Sequence, residues 1–203
     1  MEPKLRRLKI QDRVEMNRSQ VAKKWSGRSG VALAYTPDAA SLTQAGYPIF
    51  ALKLLCRGLV CEVGCGPGRM SKVFPANSYI GIDINPDAIT EAKSRNPKHK
   101  FQSITWDQEY PQADTYLFHT VMFHIPDEEI ESVISRCSRR VIVSESMIGW
   151  IRDYGKGFNF HRDPSVYRKL FEAQGWEEKE LIHFAINTHP YFANFMVFDK
   201  VAK

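Results

Sequence analysis

The stretch of sequence that decides the fold is LVCEVGCGPGRM, residues 59–70. A mostly apolar strand pattern at 59–63 is followed by glycine at positions 64, 66 and 68. Because glycine has no Cβ, such a chain can turn sharply and bring its backbone close to a ligand. The N–H groups of a helix that starts after the loop can also receive a negatively charged group. The stretch therefore predicts a strand and a ligand-binding loop, and the alternative interpretation is a purely structural strand-to-helix turn.

A second strand pattern, YIGIDIN at residues 79–85, ends in a carboxylate soon after the first loop. In α/β nucleotide sites, an acidic residue about 20 positions past the loop accepts hydrogen bonds from ribose hydroxyls. We therefore predict that Asp83 binds a ribose and that Ile84 lies beside an adenine ring, although Asp83 alone could equally cap the next helix. The Gly-x-Gly-x-Gly spacing differs from the Gly-x-Gly-x-x-Gly of nicotinamide dehydrogenases, which argues against that class.

These two motifs resemble motif I and the acidic loop of the class I S-adenosylmethionine-dependent methyltransferases, and the resemblance extends from about residue 59 to the C-terminus. It implies that S-adenosylmethionine is the cofactor and S-adenosylhomocysteine the product. The glycine loop is expected to hold the methionine part, and Asp83 the ribose. In full, the residues expected to bind the cofactor are Glu62, Gly64, Cys65, Gly66, Gly68, Asp83, Ile84, Trp106, Asp107 and His119.

Segment 101–111 resembles the family segment whose acidic residue binds the adenine amino group. The matching acid is Asp107, and Trp106 is close enough in sequence to line the adenine pocket. The family usually has a small residue before that acid, so Trp106 departs from the pattern. Its alternative interpretation is a tryptophan packed in the core.

Three histidines are candidates for catalysis. The segment HTVMFHIPDEE, residues 119–129, resembles the exit of the fourth strand in small-molecule methyltransferases, which implies that His119 lies near the sulfonium and His124 at the rim of the acceptor pocket. A histidine there can take a proton from the acceptor, since its reference pKa is near neutrality; packing or capping is the alternative for His124. His161 follows the predicted fifth strand, where the family places acceptor-binding residues, and nearby aromatic residues are Trp150, Tyr154, Phe158 and Phe160.

Short apolar runs alternate with amphipathic segments from residue 59 onward, which is typical of a mostly parallel sheet between helices. We predict strands at 59–63, 79–83, 100–104, 115–119, 140–144, 176–184 and 194–201, the last two as an antiparallel hairpin. Helices are predicted after Gly68 and at 86–95, 127–137, 163–174, 17–25 and 38–56. The predicted fold class is α/β: a Rossmann-like, doubly wound, mostly parallel seven-stranded sheet. Residues 58–203 would form the methyltransferase core and residues 1–57 a helical lid, within one compact domain.

Composition limits the class of protein. The 203-residue chain has a net charge of +5, and its first 30 residues are rich in Lys and Arg. The four cysteines form no C-x-x-C pair, no stretch approaches the roughly 20 apolar residues of a membrane span, and no signal-peptide run follows the basic N-terminus. We therefore expect a cytoplasmic protein without a membrane partner. The spacing of its histidines predicts no metal site.

The predicted reaction is methyl transfer to a small-molecule acceptor, at oxygen or nitrogen rather than carbon. The segment after the fourth strand lacks both the Asn/Asp-Pro-Pro-Tyr signature of amino-directed nucleic-acid methyltransferases and the Pro-Cys pair of cytosine enzymes. The runner-up is an RNA or protein methyltransferase that uses the basic N-terminal arm, whose binding would weaken steeply with salt. A third interpretation is a protein that binds the cofactor without transferring its methyl group, and a structural nucleotide-binding domain comes last.

Overall fold

The computed structural model describes residues 39–44, 46–105, 108–145, 160, 162–185 and 192–202. The helices are α1 (Ala39–Gln44), α2 (Ile49–Leu55), α3 (Pro86–Arg95), α4 (Asp127–Ser135) and α5 (Pro164–Glu172). The strands are β1 (Val60–Val63), β2 (Tyr79–Asp83), β3 (Lys100–Ser103), β4 (Thr115–His119), β5 (Arg140–Glu145), β6 (Trp176–Ala185) and β7 (Phe192–Lys200). Short 3-10 helices lie at Ser71–Val73, Ala76–Ser78 and Met122–His124.

The described strands form one sheet in the order β3-β2-β1-β4-β5-β7-β6. Strands β1 to β5 pair in parallel, whereas β7 runs antiparallel to both β5 and β6. The chain runs outward from β1 to β3 and then returns to β4 on the other side of β1, so the strand order reverses between β1 and β4. Ligands of such sheets bind outside the carboxyl ends of the strands at this point. The predicted Rossmann-like sheet with its antiparallel C-terminal hairpin is confirmed.

Helices cover both faces of the sheet. Strands β1, β4 and β5 are buried along their whole length, as expected for parallel strands with helices on either side. One face packs against α4 and α5 through Ile130, Ile134 and Phe171. The other face packs against α2 and α3 through Leu52 and Ile89. With both faces covered, the carboxyl edge of the parallel strands is left as the place for a ligand.

Local sequence signals explain where two of the helices begin. Asn85 caps α3, because its side chain accepts hydrogen bonds from the backbone N–H groups of Asp87 and Ala88, and Pro86 occupies the first helical turn. Asp163 caps α5 in the same way, accepting from the N–H of Ser165. Side-chain oxygens of this kind satisfy N–H groups that have no partner within the helix. The cap at Asn85 matters for function, since it fixes the turn that follows Asp83.

The single helix predicted at 38–56 is wrong. The structure has two helices there, α1 and α2, separated by a turn at Gly46–Pro48, in which Gly46 has a left-handed φ of +87°. The turn directs Tyr47 into the core, where its side chain is buried. The predicted helix at 17–25 lies outside the described residues.

A largely buried ion pair joins β5, the last parallel strand, to its antiparallel neighbour β7. The Arg140 guanidinium of β5 donates to both carboxylate oxygens of Asp199 on β7, each at 2.7 Å, and also to the carbonyl oxygen of Leu55 at 3.1 Å. Only 8% of the Arg140 side chain is exposed, compared with 27% for Asp199. Removing one member of such a pair leaves a poorly solvated charge behind.

We expect Asp199→Ala to lower the free energy of unfolding by about 1 to 3 kcal/mol, as for the loss of a hydrogen-bonded partner of a charged group. The measurement is urea denaturation at neutral pH. Glu177→Ala is the control, because Glu177 pairs with Lys179 on the surface, where ion pairs contribute at most about 1 kcal/mol. Equal losses in the two variants would contradict a special role for the Arg140–Asp199 pair.

Candidate active site

A cavity of about 300 Å³ lies at the carboxyl ends of β1, β2 and β4. Its walls come from the glycine loop after β1, from the end of β2 and the start of α3, from the segment after β3, and from residues after β4. This volume is at the lower end of the range for small-molecule sites. The cavity occupies the point where the strand order reverses, as the topology requires.

Two glycines of the loop after β1 have opposite surroundings: Gly64 is tightly packed and Gly66 faces open space. Gly64 has a φ of +72°, and a Cβ at this position would lie 2.3 Å from a methyl group of Val121, so no side chain fits. Gly66 has a φ of +53°, but a Cβ there would have nothing within 4 Å. Because Gly66 lines the cavity, the empty space beside its Cα belongs to the site. A ligand can therefore contact the backbone of the loop directly.

Asp83 stands at the end of β2 and faces this loop. Its carboxylate accepts hydrogen bonds from the backbone N–H groups of Gly66, at 2.8 Å, and of Asn85, at 2.9 Å. Burial raises the pKa of the Asp83 carboxyl, and the hydrogen bonds from backbone N–H groups oppose that rise. A carboxylate offers about four acceptor positions, so Asp83 keeps capacity for further donors from a ligand in the cavity.

Of the other residues expected to bind the cofactor, some line the cavity and others do not. Gly64, Cys65 and Ile84 line the cavity together with Gly66 and Asp83. Glu62 does not, because its side chain is buried behind the wall and accepts a hydrogen bond from the Tyr79 hydroxyl. Gly68 also lies off the cavity, where a Cβ would meet Phe101. Trp106 and Asp107 lie outside the described residues, so their roles stay predictions.

His119 is predicted to lie near the sulfonium and to bind the cofactor, but the structure does not place it among the residues that line the cavity. The side chain is buried on the other side of the wall, with Nδ1 at 3.0 Å from Ser144 Oγ and 3.3 Å from the Tyr47 hydroxyl. The alternation of side chains along β4 explains this, since His119 shares a face with Leu117, against which Tyr47 packs. Burial, helped by the nearby charge of Arg69, lowers the pKa of His119 well below its usual value. The imidazole is therefore neutral and held away from the cavity.

The other two histidines have different outcomes. His124 lines the cavity and is half-buried, with its ring centroid 3.9 Å from that of Phe123. A proton-accepting role for His124 is therefore compatible with its position, and it stays a prediction. His161 falls in a part of the chain that the structure does not describe, as do Trp150, Tyr154 and Phe158.

Sequence analysis missed Arg69 and Thr120, which both line the cavity. The Arg69 guanidinium donates to the side-chain oxygen of Thr120 and, at 3.3 Å, to the carbonyl oxygen of His119. Thr120 has a φ of +55°, a conformation that is unfavourable for a β-branched residue. Arg69 directly follows the glycine motif and could have been considered from that position, whereas a strained threonine leaves no signal in the sequence.

Two buried ionisable residues, Glu145 and Arg162, hold the cavity wall after β4 from behind. Glu145 accepts a hydrogen bond from the backbone N–H of Phe123 at 3.2 Å and another from the Tyr167 hydroxyl at 2.7 Å. Arg162 donates to the carbonyl oxygens of Met122, at 2.9 Å, and Ile125, at 2.7 Å. The segment that carries Phe123 and His124 is thereby tied to β5 and to the start of α5.

Comparison with known proteins agrees with this geometry. Residues 60–142 match the family described as methyltransferase domain. The most similar solved structures include magnesium protoporphyrin IX methyltransferase from Synechocystis PCC 6803 with bound S-adenosylhomocysteine, with a TM-score of 0.67 and 15% identity, covering 91% of this chain and all of that one. The pyocyanin biosynthetic protein PhzM has a TM-score of 0.64 and 14% identity, covering 86% and 62%.

Two curated relatives resemble part of this chain. Both are trans-aconitate 2-methyltransferases from Rhodopseudomonas palustris. The one from strain BisB5 is 32% identical over 74 residues, covering 34% of this chain and 29% of the relative. The one from strain HaA2 is 30% identical over 82 residues, covering 37% and 32%. The matches therefore span about a third of the relatives' length.

Two further features concern metal ions and membranes as partners of this protein. Among the described residues, no group of three His, Cys, Asp or Glu side chains is arranged to hold a metal ion. Within the same part of the chain, no helix combines the length and the apolar character needed to cross a bilayer. All four cysteines are free thiols.

The buried environment of Glu145 predicts that the stability of the fold depends on pH. Burial raises the pKa of Glu145 from 4.5 to about 7, against the opposing effect of its hydrogen bonds and of Arg162. Because the fold prefers the neutral carboxyl, this contribution to stability is complete below pH 4.5 and is lost as the pH rises through about 7. Gln mimics the neutral carboxyl, since its oxygen can accept from the Phe123 N–H and its amide can donate to Tyr167.

We therefore expect Glu145→Gln to become more stable relative to the wild-type protein by up to about 3 kcal/mol between pH 5 and pH 8. Denaturant unfolding at several pH values measures the difference. Glu128→Gln on the exposed side of α4 is the control. A difference between the wild-type protein and Glu145→Gln that stays constant with pH would show that the buried carboxyl does not titrate in this range.

Proposed function

We propose that this protein transfers the methyl group of S-adenosylmethionine to an oxygen or nitrogen atom of a small-molecule acceptor. One observation carries the proposal: the open backbone at Gly66 and the carboxylate of Asp83 face one cavity and are joined by a 2.8 Å hydrogen bond. This arrangement offers a carboxylate for ribose hydroxyls beside a loop that an extended ligand can follow. The matched methyltransferase family and the solved structures with bound cofactor support the same conclusion.

The residues present fit this cofactor. The empty space beside Gly66 is where the amino-acid part would run along the loop. Asp83 would accept hydrogen bonds from the ribose hydroxyls, and the apolar side chains of Ile84 and Ile104 line the cavity where the adenine ring would lie. Asp107 and Trp106 would complete the adenine pocket, as the family resemblance implies.

The sulfonium of the bound cofactor supplies an activated methyl group, so the protein's task is alignment. Holding two reactants in line contributes up to about 7 to 11 kcal/mol in favourable cases. The rigid walls at Thr120 and Phe123 would orient the acceptor for in-line attack. An acceptor that must lose a proton could pass it to His124, and a positioned base of this kind adds about 10²- to 10⁴-fold to a rate.

The acceptor class is proposed from the relatives and from the cavity. The curated relatives carry the name of a small carboxylic acid, trans-aconitate, and the cavity here is of small-molecule size. Residues 1–57 are proposed as an acceptor-side lid. We also propose that the protein works in the cytoplasm, which its free thiols favour.

The glycine loop provides a matched test of the cofactor site. Gly66 and Gly175 both have positive φ, and a Cβ at either would have nothing within 4 Å, but only Gly66 lines the cavity. Both alanine variants should therefore lose about 1 kcal/mol of stability for the same backbone reason. In calorimetric titration with S-adenosylhomocysteine, we expect Gly66→Ala to bind at least about tenfold more weakly and Gly175→Ala to bind like the wild-type protein. Parallel behaviour of the two would contradict the proposed path of the ligand.

Asp83→Ala tests the ribose contact independently. Loss of hydrogen bonds to a charged group costs about 1.5 to 3 kcal/mol, so we expect affinity for S-adenosylhomocysteine to fall by about 10- to 100-fold. Asp87→Ala is the control, since Asp87 is an exposed carboxylate four residues further on, in the first turn of α3. Unchanged affinity in Asp83→Ala would remove the ribose role.

Turnover separates an enzyme from a cofactor-binding protein. Small acids, phenols and amines are incubated with the protein and isotopically labelled S-adenosylmethionine, and labelled products are detected by mass spectrometry. Labelled acceptor supports the proposal. Tight binding of the cofactor without any labelled product across the panel, or with label only on added RNA or protein, would favour the alternatives.

A further inference from the structure

Arg69 carries a positive charge on the cavity wall, and no carboxylate of the described residues forms an ion pair with it. Among the described residues that line the cavity, it is the one arginine or lysine. Its two hydrogen bonds go to neutral oxygens, the side-chain oxygen of Thr120 and the carbonyl oxygen of His119. No carboxylate in the described part of the chain lies within ion-pairing distance of it. Charged groups that leave water are ordinarily paired.

The nearby carboxylates make no hydrogen bond to Arg69, although the charge of Glu62 acts on it through space. Glu62 accepts from the Tyr79 hydroxyl, and burial raises the pKa of Glu62 to about 7, so part of it is neutral near pH 7. Asp83 accepts from the backbone N–H groups of Gly66 and Asn85. Burial also lowers the pKa of Arg69, which reflects the cost of holding the cation there. An anion from a ligand would relieve that cost.

The guanidinium is held in a fixed orientation. Both of its hydrogen bonds use Nη2, which leaves the three N–H groups of Nε and Nη1 for another acceptor. A carboxylate that accepts from either of these two nitrogens would form a charge-assisted hydrogen bond, which is about twice as strong as a neutral one. Thr120 accepts from Arg69 in an unfavourable backbone conformation, and strain of this kind persists where the surrounding structure demands it.

We propose that Arg69 binds a carboxylate of the ligand in this cavity. The inference rests on the proposed function and adds a binding residue to that site. Arg69 follows the glycine loop directly, so the amino-acid end of the cofactor is the nearer source of such a carboxylate. A carboxylic acid acceptor is the other source, and it has the same chemistry.

The test compares two ligands that differ only in the carboxylate. They are S-adenosylhomocysteine and S-adenosyl-3-thiopropylamine, its decarboxylated form. Calorimetric titration of the wild-type protein should show that removing the carboxylate weakens binding about 10- to 100-fold, as for a lost charge-assisted hydrogen bond. Arg69→Met should bind both ligands with the same affinity, close to that of the decarboxylated ligand for the wild-type protein.

Two further variants serve as controls for the loss of charge and for the geometry of the side chain. Arg57→Met removes one charge from an exposed side chain and should keep the full preference for S-adenosylhomocysteine. Arg69→Lys keeps the charge but replaces the planar guanidinium, held by its contacts with Thr120 and His119, with a single flexible ammonium group, so an intermediate preference is expected. If Arg69→Met does not fold, the ligand comparison in the wild-type protein and in Arg69→Lys decides the question.

A second arm identifies the source of the carboxylate. Citrate is titrated into protein saturated with S-adenosylhomocysteine. Arg69→Met could leave the binding of both nucleosides unchanged and abolish citrate binding, while Arg57→Met still binds citrate. In that case the carboxylate bound by Arg69 is that of the acceptor. If the wild-type protein binds S-adenosylhomocysteine and Arg69→Met changes neither ligand preference nor citrate binding, the inference about Arg69 is wrong while the proposed function stands. Failure of the wild-type protein to bind either nucleoside overturns both.

Discussion

The site depends on one close contact, the approach of the Gly64 backbone to Val121. Since a Cβ at position 64 would lie 2.3 Å from the Val121 side chain, only glycine lets the loop after β1 lie against the segment after β4. The loop is fixed on its other side by β2, because the N–H groups of Gly64 and Cys65 donate to the carbonyl oxygen of Ile82 at 2.8 and 3.0 Å. Held between its two neighbours, the loop brings Gly66 to Asp83 on one side and Arg69 to Thr120 on the other.

The segment after β4 is also held in place, by the ionisable side chains of Glu145 and Arg162. An apolar core would not require such side chains. Burying an ionisable side chain costs free energy that its hydrogen bonds must offset, so Glu145 and Arg162 are not explained by stability alone. Their hydrogen bonds go to the backbone N–H of Phe123 and to the carbonyl oxygens of Met122 and Ile125. These hydrogen bonds fix the position of the backbone at residues 122–125. A fixed backbone there would orient an acceptor in the cavity.

Periodicity and glycine spacing predicted the elements, whereas contacts between distant residues decided the site. The sheet follows from apolar runs and the β2 carboxylate, and the core strands fall within one or two residues of their predicted bounds. The single helix predicted at 38–56 is wrong because Gly46 and Pro48, which are ordinary signals of a break, interrupt it. Glu145 and Arg162 act on residues 22 to 40 positions away, and no local pattern shows such pairs. Position 119 was assigned by resemblance, which does not say which face of the strand its side chain occupies.

The buried placement of His119 has a consequence for the chemistry of the site. A protonated imidazole there would lose its hydration and would lie near the positive charge of Arg69, and both effects favour the neutral form. His119 is therefore a poor proton acceptor near neutral pH, even though it lies so close to the cavity in sequence. Its hydrogen-bonding contacts with Tyr47 and Ser144 instead join the turn before α2 to the ends of β4 and β5. If the acceptor must be deprotonated, the base has to come from another position, and among the described histidines His124 is the one that lines the cavity.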